Sequence, residues 1–283
     1  MTLRLVACPF SKMNQNNSSY VESTCKRIRC ILNKITPVTF DELIQEILEI
    51  IRVYADGSTK EIFADIMFNM AISDSRYCVM YADLCKSCCD LDNDFKKCIV
   101  QKCQKSFEYG VEYAKKTSGL AEACFEYAKK TSGLAEACCV DEEDEERVKQ
   151  KLKMRGTIRF IGELYRHNII SDRITQWCLT HLINHYEETK NELFIEYAAR
   201  LIEAIGLNYE KRIISNPSGE ELMSHYLNKM IDQLAAQKEN YSTRIRFMII
   251  DLVDLRKNGW VDRRELARVI IPRAFRDLNV KTR

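Results

Sequence analysis

The sequence predicts an all-α fold, an α-α superhelix (solenoid) in which about five antiparallel helix pairs stack against one another. Two observations carry this prediction. Apolar residues recur at three- and four-residue steps through most of the chain from Ser19 to Lys257, as they do when one helix face is buried. Only 9 glycines and 4 prolines occur in 283 residues, which is few for a turn-rich β-sandwich or β-barrel.

The first two helices are predicted to meet at a sharp corner. An apolar stripe runs along residues 20–34, and Thr36 and Pro37 then reset the chain. We assign Thr36 as the N-cap and Pro37 as the first helical position of the second helix, where the missing N–H of proline costs nothing. Ile35 and Phe40 then fall on the two positions of a hydrophobic staple, which would fix the angle of the corner.

The remaining helices follow from the same spacing and from residues that end helices. Gly57 and Gly206 are expected to end the helices that precede them, because glycine is the common residue just after a helix. No strict repeat of about 34 or about 42 residues is visible, so the pairs are predicted to be degenerate HEAT-like repeats. The later helices are expected at residues 58–70, 75–89, 94–109, 142–166, 171–186, 191–205, 217–237 and 242–257.

One exact repeat interrupts this pattern. The segment EYAKKTSGLAEAC occupies residues 112–124 and recurs at 126–138. Two identical copies in an otherwise non-repetitive chain indicate a tandem duplication in a surface loop, where added length costs little closure entropy. We therefore predict an exposed and disordered insertion at 110–140. The full division is a flexible N-terminus at 1–18, a HEAT-like helical domain at 19–262 and a basic C-terminal tail at 263–283.

Composition and charge exclude several classes of protein. The formal net charge is +2, so the chain as a whole does not attract nucleic acid, although residues 244–283 are basic. No run of about 18 apolar residues occurs, and we expect neither a signal peptide nor a membrane partner. The 13 cysteines are an odd number, which fits reduced thiols better than a closed set of disulfides. The prediction is a cytoplasmic, monomeric protein.

No catalytic site emerges from the residue patterns, and no metal site or cofactor is predicted. The chain has no phosphate-binding glycine loop, no GxSxG turn and no HExxH helix. A cysteine cluster has loosely metal-like spacing and consists of Cys85, Cys88, Cys89, Cys98 and Cys103. Its members fall on helical faces, where a free cysteine fills apolar space. Cys178, His181 and His185 share one helix face without the glutamate of a zinc-protease helix. A zinc protein built on the cysteine cluster is the minor alternative.

Three stretches of the chain, in order, carry a family resemblance. They are ILNKITPVTF at 31–40, TIRFIGEL at 157–164 and STRIRFMIIDLVDLRKNGW at 242–260. Together they resemble the middle domain of the eukaryotic translation initiation factor 4 gamma family, over about residues 20–264. The resemblance implies a fold of HEAT-like helix pairs, in agreement with the periodicity. It also implies a non-catalytic scaffold in translation initiation that binds the DEAD-box RNA helicase of initiation, factor 4A.

The same resemblance implies which side chains contact partners. Helicase binding is carried over to Leu32, Ile35, Phe40 and Phe160. RNA binding is carried over to Arg159, Arg244 and Arg246, with mRNA as the expected second partner. Core packing is the competing interpretation for the apolar residues, and ion pairs between helices are the competing interpretation for the arginines.

The sequence also departs from the full-length members of that family. None of its 13 tyrosines begins the motif that binds the cap-binding protein, a tyrosine followed after four residues by leucine and an apolar residue. The protein could therefore assist initiation as a minimal scaffold or compete with the full-length factor. The alternative function is an RNA-binding HEAT module of another mRNP complex, in decay, splicing or nuclear cap binding. A helicase pull-down separates the two.

Overall fold

The structure, a computed structural model, describes residues 17–53, 57–130, 141–215, 228, 231–232 and 234–261. Within them the helices are α1 (Asn17–Leu32), α2 (Phe40–Val53), α3 (Gly57–Ser73), α4 (Cys78–Leu91), α5 (Asn93–Lys130), α6 (Asp141–Arg166), α7 (Asp172–Thr189), α8 (Glu192–Ser215) and α9 (Thr243–Lys257). A 3-10 turn at Lys238–Asn240 precedes α9. This described part contains no strand, and none of its helices is long and apolar enough to cross a membrane.

Successive helices form pairs, and the pairs stack on one another. Helix α3 packs with α4, α5 with α6, and α7 with α8. Helix α6 lies at the centre, where it contacts α3, α4, α5 and α8, and α9 closes the end by packing on α8. Aromatic side chains fill the space between layers, and the largest fully buried ones are Tyr165, Tyr197, Phe68, Phe95, Phe107, Phe160 and Phe194. The predicted all-α superhelix of stacked helix pairs is confirmed.

Two helix ends predicted from glycine are wrong. Helix α2 ends at Val53, and Gly57 begins α3 instead of following α2. Helix α8 continues through Gly206 to Ser215. A Cβ atom on Gly206 would lie 2.1 Å from Cη2 of Trp260. This glycine therefore leaves room for the tryptophan side chain and does not end the helix.

The predicted disorder of residues 110–140 is also wrong for the first part of that segment. Helix α5 passes through the first copy of the repeat and into the second, and the side chains of Val111 and Ala114 are buried. Gly110 permits this close packing, since a Cβ there would lie 2.6 Å from Sδ of Met154 on α6. Residues 131–140 lie outside the described residues, as do 1–16, the tail from 262 onward and most of the helix predicted at 217–237.

Polar contacts join α8 to α9 and to the turn that follows α9. Glu210 accepts hydrogen bonds from Arg256 Nε at 2.8 Å and from Trp260 Nε1 at 2.6 Å. Gly259 and Trp260 both have positive φ angles, of 66° and 65°, which turn the chain so that the indole lies over Gly206. A bulky residue rarely adopts this conformation, and here its burial and hydrogen bond offset the strain.

Candidate interaction surfaces

The corner between α1 and α2 is a tight turn held by two threonine hydroxyls. Thr39 Oγ1 donates a hydrogen bond to the carbonyl oxygen of Lys34 at 2.8 Å and accepts one from the backbone N–H of Thr36 at 3.0 Å. The backbone N–H of Thr39 donates to the carbonyl oxygen of Thr36 at 3.1 Å. Helix α2 begins at Phe40, so the prediction of Pro37 as its first helical residue is wrong. The backbone N–H of Thr39 nevertheless donates to Thr36 Oγ1 at 3.3 Å, as it would to an N-cap. The hydrogen bonds of the two threonines hold residues 36–39 in a turn that precedes helix α2.

This corner presents one apolar side chain to water. Val38 is 93% exposed, whereas Ile35 is 5% exposed and Phe40 packs half-buried against the core. The chain on both sides of Val38 is thus anchored, which leaves little conformational entropy to lose when a partner covers it. Sequence reasoning missed Val38 because it placed this residue inside the first turn of a helix.

Three of the four side chains predicted to contact the helicase belong to the core. Leu32 is 1% exposed and Phe160 is 0% exposed, and Ile35 is buried with them. The ring of Phe160 meets that of Phe68 edge to face, with centroids 5.9 Å apart. Direct contact by Leu32, Ile35 or Phe160 is therefore corrected to a supporting role, because these side chains offer no surface to a partner. Phe40 alone of the four reaches the surface in part.

A basic groove lies between α3, α6 and α8. Its volume is about 990 Å³, and Ile72 and Gly156 form part of its floor. Cations outnumber acids along its walls: the basic residues are Lys149, Lys153, Arg155, Arg159 and Arg200, and the acidic ones are Glu163 and Glu203. Arg159 is exposed here and forms no ion pair with the described residues. Its guanidinium is thus available to an anion.

A second groove, between α8 and α9, shares Arg200 and Glu203 with the first. Arg244 lines it beside Phe247, whose ring is 61% exposed. Exposed aromatic rings beside arginines suit single-stranded nucleic acid, since bases stack on rings while cations neutralise phosphates. Arg246 lines neither groove and instead lies 3.5 Å from the carboxylate of Glu239. The structure thus brings two of the three predicted RNA-binding arginines onto one continuous surface.

Beneath these grooves lies a buried carboxylate that sequence reasoning missed. Glu196 on α8 is 0% exposed, and it accepts hydrogen bonds from Arg155 Nε at 3.0 Å and from Arg244 Nη1 at 2.7 Å. Lys151 Nζ lies 3.4 Å away and Arg200 Nε 3.3 Å away. One carboxylate therefore joins cations from α6, α8 and α9.

The charge around Glu196 is unbalanced. Four cations surround one carboxylate, which leaves three positive charges at the junction of the two grooves. Burial alone would raise the pKa of Glu196, but the hydrogen bonds from Arg155 and Arg244 and the charge of Lys151 lower this pKa to about 2. The carboxylate stays ionised at neutral pH and positions the arginines, while the excess positive charge attracts anions.

The cysteine cluster forms part of the apolar core. The nine cysteines whose side chains the structure describes are free thiols, and Cys85, Cys88 and Cys103 are among the buried ones. Burial, with the neighbouring thiols, raises the pKa of Cys85 and of Cys88 well above the ordinary value. No group of three histidine, cysteine or acidic side chains that could hold a metal occurs in the described residues. The described members of the cluster thus serve as small apolar side chains.

Comparison with solved structures supports the fold. The MIF4G domain of Trypanosoma cruzi translation initiation factor EIF4G5 superposes with a TM-score of 0.52 at 18% sequence identity. The match covers 84% of this chain and 97% of that domain. At this identity the similarity concerns the fold alone.

Sequence comparison identifies the family. Eukaryotic translation initiation factor 4G of Triticum aestivum is 33% identical over 276 residues, which covers 91% of this chain and 17% of the relative. Eukaryotic translation initiation factor 4 gamma 1 of Mus musculus is 29% identical over 264 residues, covering 88% and 15%. The chain thus spans less than a fifth of the length of these relatives. The family model of the MIF4G domain matches residues 25–259, and the chain therefore belongs to the MIF4G domain family.

Proposed function

We propose that this protein is a non-catalytic, cytoplasmic scaffold of translation initiation that binds the DEAD-box helicase factor 4A through the corner between α1 and α2. RNA is the proposed second partner, bound along the two basic grooves. Membership of the MIF4G family and similarity to initiation factor 4G over most of the chain support the role in initiation. The exposure of Val38 on a fixed turn is the observation that carries the choice of docking surface.

The corner suits a protein partner better than a small molecule. It is a convex turn with Val38 at its tip and Phe40 half-buried behind it. The side chain of Tyr81 on α4 donates a hydrogen bond to the carbonyl oxygen of Leu32 at 3.2 Å and so ties the end of α1 to the next pair. A preformed apolar projection inserts into a pocket of a partner at low entropic cost.

Substitution of Val38 tests the helicase surface. Val38→Asp should weaken helicase binding at least about tenfold, because a charge would be buried at the centre of the contact. Val53→Asp is the matched control, since Val53 is also exposed on the same helix pair but lies at the far end of α2. Binding is measured by calorimetry with purified helicase, and helix content by circular dichroism. If Val38→Asp and wild type bind alike, the corner is not the docking surface.

The RNA interaction is tested with two arginines that differ in position. Arg159→Ala should weaken binding of single-stranded RNA and reduce the salt dependence by about one counterion, because a free guanidinium in the groove would be lost. Arg246→Ala is the control, since Arg246 lies outside both grooves. Equal RNA affinity of Arg159→Ala and wild type would contradict the groove assignment.

The second candidate function, an RNA-binding module of another mRNP complex, is favoured by the excess positive charge around Glu196. A chain that binds RNA with the predicted salt dependence and ignores the helicase would fit this candidate and contradict the first. The rate of RNA-stimulated ATP hydrolysis by the helicase distinguishes them, because only a helicase-binding scaffold changes that rate.

A further inference from the structure

A row of three rings on α7 lies apart from the surfaces described above. Trp177, His181 and His185 follow one another at four-residue steps along one helix face. The ring centroids of Trp177 and His181 are 4.8 Å apart in a stacked arrangement, and those of His181 and His185 are 4.2 Å apart. The two imidazoles direct their Nε2 atoms at each other across 3.0 Å.

The other nitrogen of His185 is held by a carboxylate. Nδ1 of His185 lies 3.0 Å from Oε2 of Glu188, one turn further along α7. A carboxylate accepts a hydrogen bond, so it favours the tautomer with the proton on Nδ1 and leaves a lone pair on Nε2 of His185. That lone pair points at His181. It meets either an N–H of His181 or, when His181 also carries its proton on Nδ1, a second lone pair.

Two converging lone pairs are the arrangement that binds a transition-metal ion. Zinc–imidazole bonds of about 2.0–2.1 Å at a tetrahedral angle place the two nitrogen atoms about 3.3 Å apart, which small ring movements would achieve from 3.0 Å. Metal-binding histidines usually donate their second N–H to a carboxylate, as His185 can to Glu188. The described residues add no third ligand, so water would complete the coordination.

The charges around the pair include carboxylates that would attract a cation. Burial, with the neighbouring His185 and Lys115, lowers the pKa of His181. Two carboxylates, Glu108 on α5 and Glu188 on α7, face the pair. Lys115 on α5 opposes them, and its Nζ lies 4.0 Å from Glu188.

From this geometry we propose that His181 and His185 form a binding site for a divalent transition-metal ion of the zinc and nickel class, with Glu188 as the residue that orients His185. Cys178 shares the face in sequence, but it is buried and takes no part. The pattern of residues alone favoured no metal here, and the convergence of the two Nε2 atoms is the new observation. The site stands independently of the helicase and RNA surfaces.

The stacked Trp177 provides a direct readout. Ni²⁺ bound at the pair should quench the fluorescence of Trp177, excess Zn²⁺ should reverse the quenching by competition, and Mg²⁺ should have no effect, since it prefers oxygen ligands. The titration uses the full chain with its thiols reduced. Trp177→Phe should remove the metal-dependent part of the signal, because Trp177 is the tryptophan that stacks on His181.

Three substitutions and one control decide the proposal. His181→Gln and His185→Gln should each weaken Ni²⁺ binding at least about tenfold, and Glu188→Ala, an exposed position, should weaken it about tenfold because His185 Nδ1 loses its acceptor. His167→Gln is the control, because His167 lies beside Asp83. The proposal is overturned if wild type shows no quenching, or if quenching persists with equal affinity in His181→Gln or His185→Gln.

Discussion

The helices of the two halves of the superhelix are held together by different kinds of contact within each half. Between α3, α4 and α5 the core is apolar, with Phe63 and Phe95 in ring contact and the buried thiols around Cys85 and Cys103. Two ion pairs, Lys60–Asp92 at 2.5 Å and Lys102–Asp65 at 2.8 Å, also join elements of this half. Between α8 and α9 the interface contains carboxylates from α8. Glu192 accepts from the backbone N–H of Ser242, Glu196 from Arg244, and Glu210 from Arg256 and Trp260.

The two kinds of contact contribute differently: apolar packing stabilises the fold, and charged hydrogen bonds fix how the helices are oriented. The stabilisation from apolar packing is proportional to the buried area, and such packing tolerates small shifts of one helix along another. Charged hydrogen bonds fix direction and register, but their removal on one side leaves a buried charge without a partner. The stability of the second half should therefore depend on the ionisation of the carboxylates on α8. The first half should depend less on pH, through the Lys60–Asp92 pair.

Removal of the Glu196 charge is expected to have the largest effect. Glu196→Gln should lower the free energy of unfolding by about 3–5 kcal/mol, because four cations would lose their shared carboxylate. Urea denaturation followed by circular dichroism measures it. Glu203→Gln on the same helix, at an exposed position, should leave stability unchanged. Equal midpoints for the two variants would show that the polar interface does not stabilise the fold.

Low pH should remove the stabilisation by the Glu196 carboxylate from the wild-type protein. The folded-state pKa of Glu196 is about 2, below the ordinary value of 4.5, so its stabilisation is complete above about pH 4.5 and is lost as pH falls towards 2. One pKa unit corresponds to about 1.4 kcal/mol, which makes this contribution about 3 kcal/mol. The stability difference between wild type and Glu196→Gln should therefore shrink as pH falls from 6 to 3. A constant difference would exclude Glu196 as its source.

A methyl group at Gly206 should have a smaller effect. Alanine favours a helix over glycine by about 1 kcal/mol, but overpacking of a close contact costs about 1–3 kcal/mol. With Trp260 Cη2 at 2.1 Å from the added Cβ, Gly206→Ala should lower stability by about 1 kcal/mol. The Trp260→Leu background removes the clash, so there the same substitution should stabilise. Additive effects in this double-mutant cycle would argue against the contact.

The smallest response is expected from the apolar half. Burial raises the pKa of Cys78 to about 12, and the thiols of Cys85 and Cys103 are also buried. At pH 8 an alkylating reagent should modify the exposed Cys30 and leave these three unmodified until the protein unfolds. Peptide mass mapping of the native protein measures this. Modification of Cys103 at the rate of Cys30 would mean that the interface opens readily.

Local patterns predicted the helices well and their ends less well. Spacing located α4, α6, α7 and α9 to within about three residues, since each has a continuous apolar face. The corner at Thr36 was assigned wrongly because threonine caps helices and also closes turns, and only the contact of Thr39 with Lys34 decides between them. Gly206 was ambiguous in the same way, because the tryptophan that fills its space is distant in sequence.

The candidate sites were harder to predict than the fold. The resemblance located the segment containing Arg159 and Phe160, but neighbouring helix positions differ by about 100° in direction, so one side chain is exposed and the other buried. Glu196 could have been noticed as the one charge in the apolar run LFIEYAA at 193–199. Its partners Arg155 and Arg244 are each more than about 40 residues away, and no local pattern identifies them.

The duplicated segment has a geometric consequence for α5. Its offset, between residues 112 and 126, corresponds to about 21 Å of rise and to a rotation that is only about 40° short of four whole turns. Where α5 enters the second copy, at residues 126–130, its backbone therefore repeats the phase of 112–116 almost unchanged. A copying event of this length lengthens the helix and rotates its end by only about 40°, so a chain can be extended here while the packed part of α5 keeps its alignment.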